Sequence, residues 1–285
     1  MKIVMSGATG FIGGNLTMAF KEKGWVVVPL LIEDFLSGEK TLTEKLTGAD
    51  VVINLAGAPI LAKWTEEYKK VLYSSRVDIT KRIVNIISSQ NPKPKIFIST
   101  SAVGIYDNKG VYTEDNAVYA DDFLGRLALD WEKAALKAND AGIRTVIFRF
   151  AIVLGNNGGI LANMLPFFKL GLGGTIGDGS QGFSWVHISD HKRAFFEAIE
   201  NKTFNGIYNL ASPRPTTNKG LTKALGKVLH RPTIFRIPLL LLKIKFGEGA
   251  TAIASGQKML PKRLLEAGFR FEFEDIEDAL NNLLT

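Results

Sequence analysis

Cysteine is absent from the 285-residue chain, so neither a disulfide nor a thiolate-held metal contributes to it. Histidine is scarce, with three in all. His187 and His191 flank Asp190 but no convincing third ligand accompanies them, and no metal is expected. No apolar run reaches the length of a membrane span; "IPLLLLKIKF" is broken by Lys243 and Lys245. The opening "MKIVMSG" is too short and too soon glycine-rich for a signal peptide. There is no zinc finger and no basic strand interleaved with aromatics, which argues against a nucleic-acid partner. These absences lead to the expectation of a soluble, cytoplasmic protein with a small-molecule ligand and neither nucleic acid nor membrane as partner.

Apolar residues make up 46% of the chain and charged residues 22%, enough for a sizeable globular core. The net charge of +7 is unevenly spread, with nine Lys or Arg and no Asp or Glu from Lys202 to Lys245. Lys219, Lys223 and Lys227 recur on one helical face, opposite Leu221, Leu225 and Val228. Two readings stay open at this point, attraction of an anionic ligand such as a nucleotide phosphate and a plain solvated face.

Short apolar strands alternate with helical patterns along the first half. "KIVMS", "WVVVPLLI", "DVVINLAG", "PKIFISTSA" and "RTVIFRFAIVLG" are strands, with Pro29 marking the second as an edge or a bend. Helices are expected from Asn15 to Lys23, over "LTEKLTG", from Glu66 to Ser89 and from Leu124 to Ala138. This alternation predicts an α/β fold with a doubly wound parallel sheet. Beyond Gly155 the pattern changes, and six glycines fall between residues 171 and 182. "FSWVHIS" and "GIYNLA" read as strands, and "DHKRAFFEAIE" as a helix capped by Ser189 or Asp190. Helices follow near 218–229 and 262–267, then "FRFEF" alternates like a half-buried strand before a last helix. The plan is a nucleotide-binding core with a smaller lobe built from C-terminal segments.

"GATGFIG" places Gly7, Gly10 and Gly13 between the first strand and the first helix. A pyrophosphate needs backbone N–H groups and a helix N-terminus close by, and side chains at these positions would obstruct it. About 20 residues on, an acid would bind the ribose 2′-OH of NAD and an arginine the 2′-phosphate of NADP. Glu33 is the candidate acid, though it also suits the opening of a turn. The interval from Ile32 to Asp50 is too short for a further helix–strand–helix unit, so this edge of the sheet is trimmed.

"SGATGFIGG", "DVVINLAG" and "ISTSAVGIY" resemble the extended short-chain dehydrogenase/reductase superfamily. "INLAGAPILAKWTEEYKKVLYSSRVDIT", "GGILANMLPFFKLGLGGTIGDGSQGFSWVHISD" and "LPKRLLEAGFRF" are similar to one atypical branch, the "epimerase family proteins" (nucleoside-diphosphate-sugar epimerase-like) with their C-terminal tail domain. The resemblance implies a Rossmann-type domain over residues 1–155 and about 185–212 that binds NADP or NAD. Residues 156–184 and 213–285 would form the substrate lobe, and an oligomer is compatible with this plan. It also implies that Gly7, Thr9, Gly10, Phe11, Ile12 and Gly13 cradle the pyrophosphate, and that Leu55, Ala56 and Gly57 pass under the adenosine side. Thr100 and Ser101, with Phe150, Ala151 and Val153, would lie near the nicotinamide; sheet core is the other reading of the aliphatic members. Ile32 stands where related chains often carry an arginine.

Superfamily catalysis resembles a Ser–Tyr–Lys arrangement, in which a tyrosine made acidic by a lysine four residues on exchanges a proton with the substrate. Ser101 matches the serine. Glu132 sets the register of the helix and places the other two positions at Leu124 and Ala128; none of the six tyrosines is followed by a lysine four residues later. Tyr106 and His187 are the candidate substitutes, and Asp121 and Asp122 suit a helix cap better than a base. Two functions therefore remain: an NAD(P)-binding oxidoreductase or epimerase-like enzyme acting on a small nucleotide-linked or anionic substrate, or a dinucleotide-binding sensor without turnover.

Overall fold

The structure, a computed structural model, describes residues 1–156 and 158–285. Its apolar pentads and heptads become strands buried on both faces, which is why they lack polar alternation. In chain order the core is β1 (Lys2–Ser6), α1 (Phe11–Glu22), β2 (Val26–Leu30), α2 (Ile32–Leu36), α3 (Glu39–Leu46), β3 (Val51–Asn54) and α4 (Glu66–Tyr73). It continues with α5 (Ile79–Ser88), β4 (Ile96–Ala102), β5 (Val111–Tyr112), α6 (Phe123–Asp140), β6 (Arg144–Phe150) and β7 (Ile152–Leu154). The main sheet has six parallel strands in the order β2, β1, β3, β4, β6 and Gly206–Leu210. The trimmed edge is real: β2 is outermost, and there Pro29 has no second neighbour that would need its missing N–H.

Successive side chains of each strand feed opposite layers. Ile3 and Met5 join one core with α1 and helix Ile188–Glu200, while Val4 joins the other with α3, α5 and α6. The first core continues without a break into Leu264, Phe269, Phe271 and Leu280 of the tail. Helix Asn218–Val228 buries Leu221 and Leu225 there, and Lys227 on its outer side pairs with Glu277 at 2.5 Å. Among the described residues no helix is long and apolar enough to cross a membrane.

Several elements differ from the sequence reading, each for a tertiary reason. Helix α1 starts at Phe11 rather than Asn15, because the glycine turn itself forms the approach to the helix, with Gly10 N–H donating to Gly7 O at 3.1 Å. The single helix expected over 66–89 is interrupted by a π turn at Ser74–Asp78. The run after Arg144 divides at Ala151, whose N–H donates to Leu210 O; β7 leaves the main sheet and pairs with Trp185–His187. Helix Ile188–Glu200 is capped not by Ser189 or Asp190 but by His187, whose Nδ1 accepts from Ser189 N–H at 3.1 Å. Asp190 instead accepts from the N–H groups of Glu272 and Phe273 at 2.8 and 3.0 Å. That also corrects "FRFEF": Phe269 and Phe271 are buried, yet the segment is no strand, since the Glu272 and Phe273 N–H groups go to that carboxylate and the Phe269 N–H to Leu264 O rather than to a neighbouring strand.

Candidate functional site

At the C-terminal ends of β1, β3 and β4 the chain opens a cavity of about 420 Å³. The order of the sheet reverses around β1, and in doubly wound folds a crevice of this kind forms at that switch. One wall is the glycine turn, through Gly7, Gly10, Phe11, Ile12 and Gly13. Gly7 sits at φ +69°, and a Cβ there would lie 2.7 Å from Leu55 O. A Cβ on Gly13 would lie 2.1 Å from Gly7 O, so only glycine lets the turn close onto β3. Helix α1 then begins with no side-chain cap and no acid in its first turn. Its free N–H groups and positive end make that wall a receptor for an anion. The Phe11 ring is seated among Gly155, Gly158 and Gly159, where a Cβ on Gly158 would come within 2.1 Å of it.

The floor is formed by Leu55, Ala56 and Gly57 after β3 and by Thr100 and Ser101 at the end of β4, with Phe150 of β6. The Thr100 hydroxyl donates to Asn54 O at 3.3 Å, whereas Ser101 Oγ is buried and, among the described residues, has no hydrogen-bond partner. A buried hydroxyl costs free energy unless something bonds it, so Ser101 is open to a ligand. Opposite lie Leu124, Leu127, Ala128 and Trp131 of α6, and the tail adds Ala252 and Gln257. Among the described residues no tyrosine or lysine lines the cavity.

Arg76 is the residue that sequence reasoning missed. It is the one charged side chain among the described lining residues, and it belongs to the π turn. Its guanidinium lies against Gly57, where a Cβ would be 2.9 Å from Cζ, and 5.6 Å from the centroid of the Trp131 ring. Nη2 donates to Ala58 O at 2.8 Å and Nη1 to Leu72 O at 3.3 Å, but among the described residues no carboxylate pairs with it. Burial pulls its pKa down to about 10, so the charge is held at a cost that a bound anion would offset. No local signal marks Arg76 in the sequence, because "SSRVD" keeps the helical periodicity of its neighbours.

The expected site residues thus divide into two groups. Gly7, Gly10, Phe11, Ile12, Gly13, Leu55, Ala56, Gly57, Thr100, Ser101 and Phe150 are brought together around the cavity. Thr9 is exposed on the glycine turn, Glu33 is exposed on α2, and Ala151 and Val153 are buried in the core beside the cavity. Tyr106 is fully buried, donating to Asn209 Oδ1 and accepting from Arg149 Nη1, both at 2.7 Å. Burial pushes its phenol up to about 12 although the Arg149 guanidinium pulls it down. His187 is spent on the helix cap, its ring tilted against that of Phe273 with centroids 3.9 Å apart, and burial lowers its pKa to about 4. Neither residue lines the cavity. His191 packs instead against Phe150 and Phe195, and among the described residues no three His, Asp or Glu side chains are grouped to hold a metal.

Similarity to known proteins agrees with this geometry. Residues 3–211 match the model of the NAD dependent epimerase/dehydratase family, and residues 237–283 a domain of unknown function. The chain is 37% identical to the epimerase family protein YfhF of Bacillus subtilis, over 100% of this chain and 98% of that protein. It is 35% identical to the chloroplastic epimerase family protein SDR39U1 homolog of Arabidopsis thaliana, covering 100% and 87%. The crystal structure of human epimerase family protein SDR39U1 (isoform 2) with NADPH superposes with a TM-score of 0.93 at 31% identity, covering 99% of both chains. A UDP-glucuronic acid 4-epimerase from Bacillus cereus shares the fold, with a TM-score of 0.81 at 20% identity, covering 99% and 98%. The chain belongs to the NAD dependent epimerase/dehydratase family.

Proposed function

We propose that the cavity binds a nicotinamide dinucleotide, NADP or NAD, and that the chain is an epimerase-like enzyme or oxidoreductase working on a small, nucleotide-linked or anionic substrate. One observation carries the reading: the uncapped start of α1 and the unpartnered Ser101 hydroxyl line the same cavity, one suited to a pyrophosphate and the other to a reacting oxygen. Arg76 supplies the positive charge, answering a phosphate or another anionic group of the ligand. Residues 156–184 and 213–285 act as the substrate lobe, a role supported by Ala252 and Gln257 reaching the cavity.

The dinucleotide, when bound, supplies hydride transfer. Ser101 then orients the oxygen of the substrate at the carbon that reacts. Leu124 and Ala128 exclude water from that end of the cavity but can exchange no proton. A positioned acid or base is typically worth ~10²–10⁴-fold in rate, so turnover is slow unless the substrate brings its own titratable group. The same apolar wall favours a second reading, a protein that binds the dinucleotide and reports its redox state without consuming it.

Fluorescence titration with reduced dinucleotides, followed by turnover assays on sugar nucleotides and carbonyl compounds, tests both readings. Ser101→Ala is expected to lower kcat about 10-fold or more and to leave dinucleotide affinity unchanged, the scale of one lost hydrogen bond at the reacting oxygen. Binding without turnover across the panel leaves the sensor, and binding of neither dinucleotide removes both readings. Arg76→Ala is expected to weaken dinucleotide binding by roughly 10–100-fold, the range of a charge-assisted hydrogen bond. An affinity unchanged in Arg76→Ala would show that the guanidinium serves only the packing of Trp131 and Gly57.

A further inference from the structure

We infer that helix Leu239–Phe246, with the segment before it, is a docking face for an anionic lipid surface, on which the chain lies without crossing it. None of the residues of this helix is buried. Leu240, Leu241 and Ile244 are 66%, 57% and 69% exposed. At about 100° per residue these three share the outer arc of the helix. The inner arc carries half-buried Leu242 and Phe246, and Leu239, whose Cγ would lie 3.5 Å from a Cβ on Gly177. Lys243 and Lys245 border the outer arc, one on each side. Long side chains so placed lie along apolar groups and raise their ammonium groups to a headgroup phosphate.

The preceding segment widens the face. Ile234 and Phe235 are exposed beside exposed Arg236, and pairing of Phe235–Ile237 with Gly174–Ile176 fixes them to the lobe. Arg231 donates to Lys169 O at 2.9 Å, which brings exposed Lys169 and Leu170 alongside. Among the described residues none of Lys169, Arg231, Arg236, Lys243 and Lys245 forms an ion pair. Asp178, the carboxylate that feels Arg236, accepts from the Ser180 N–H and hydroxyl, and Glu248, the first acid after the helix, pairs with Lys69.

An exposed apolar patch of this size marks a contact surface, and its charge decides the partner. In a two-fold pair of copies, Lys243 and Lys245 would meet the same cations again with no carboxylate to answer them. An anionic bilayer answers both parts, the acyl boundary taking Leu240, Leu241 and Ile244 and the headgroups taking the cations. A run this short cannot span a bilayer, but lying in the interface requires only one apolar face. The sequence expectation of no membrane partner rested on run length alone, and the exposed arc goes beyond it.

The test is co-sedimentation of the chain with vesicles of phosphatidylcholine alone and with about 30% phosphatidylglycerol added. Partitioning is expected to be about 10-fold or more stronger onto the anionic vesicles, and to weaken several-fold as salt rises from about 0.1 M to about 0.5 M. Leu240→Ser with Ile244→Ser, and separately Lys243→Glu with Lys245→Glu, are each expected to lower it roughly 10-fold or more. All four side chains are exposed, so the melting temperature should hold; if the serine variant unfolds, the glutamate variant decides. No affinity for the anionic vesicles, equal affinity for both kinds, or binding that neither double variant reduces overturns the inference. A dimer in sedimentation velocity that the serine variant disperses, without vesicle binding, would assign the face to a second copy instead.

Discussion

Gly10→Asp is expected to abolish dinucleotide binding, by about 100-fold or more, while leaving the melting temperature unchanged or slightly raised. The two effects separate because Gly10 is free to accept a side chain. Its backbone is extended, at φ −74° and ψ 174°, and a Cβ would meet Gly7 O at 3.4 Å, an ordinary contact. An aspartate at this N-cap position can bond the orphan N–H groups at the start of α1, which favours the helix. Those are the donors assigned to the pyrophosphate, and the new carboxylate adds repulsion to their loss. Gly13→Ala should behave differently. With its Cβ 2.1 Å from Gly7 O and 2.8 Å from Ala8 Cα, the backbone must move, and stability falls together with affinity. Thermal melts and NADH titrations of the two variants distinguish a site from a merely tight turn; a Gly10→Asp protein that binds normally would refute the cradle.

The largest stability effect is expected at Glu132. Its carboxylate accepts from Arg149 Nε and Nη2, both at 2.8 Å, and the two side chains are almost wholly buried between α6 and β6. Arg149 has a further bond to the Tyr106 hydroxyl, and its guanidinium lies 5.2 Å from the Tyr106 ring centroid. Glu132→Ala leaves that guanidinium buried without a counter-charge, a loss typically of ~3–5 kcal/mol. For a chain of this size that corresponds to a drop in melting temperature on the order of 10 °C. Replacing both partners together, as Glu132→Met with Arg149→Met, should recover much of the loss, since no charge then remains buried. Urea unfolding checks both; a Glu132→Ala protein within about 1 kcal/mol of the parent would mean that water or another group already answers Arg149. Because α6 also carries Leu124 and Ala128 to the cavity wall, Glu132→Ala should weaken ligand binding too.

What could be read from the sequence was what depends on local pattern. Val4, Val52 and Phe97 alternate with Ile3, Ile53 and Ile98 between the two cores, so the strands announce themselves. The glycine turn is legible because its requirement, no side chain at Gly7 or Gly13, is written into seven consecutive residues. Pro29 restricts the second strand to an edge or a bend for a similarly local reason, and it lies on the edge strand.

What depends on distant partners was not legible. Asp190 has the residue type and position of a helix cap, yet its partners lie at Glu272 and Phe273, and His187 takes the cap. Tyr106 and His187 carry titratable groups, but Arg149, Asn209 and the packing of Phe273 decide where those groups point. The break at Ala151 falls inside an unbroken apolar run, and only the pairing of β7 with Trp185–His187 reveals it. Arg76 is the sharpest case. Its significance lies in lining the cavity with no carboxylate beside it among the described residues, and a single sequence cannot display a missing partner in space.

In the proposed function one cavity holds a dinucleotide between the glycine turn and Ser101. The most direct measurement is a diffraction structure of the chain crystallised with NADH. The pyrophosphate is expected on the N–H groups of residues 11–13, and the nicotinamide among Ser101, Leu124 and Ala128. A dinucleotide bound elsewhere, or a cavity left vacant at saturating NADH, would contradict it.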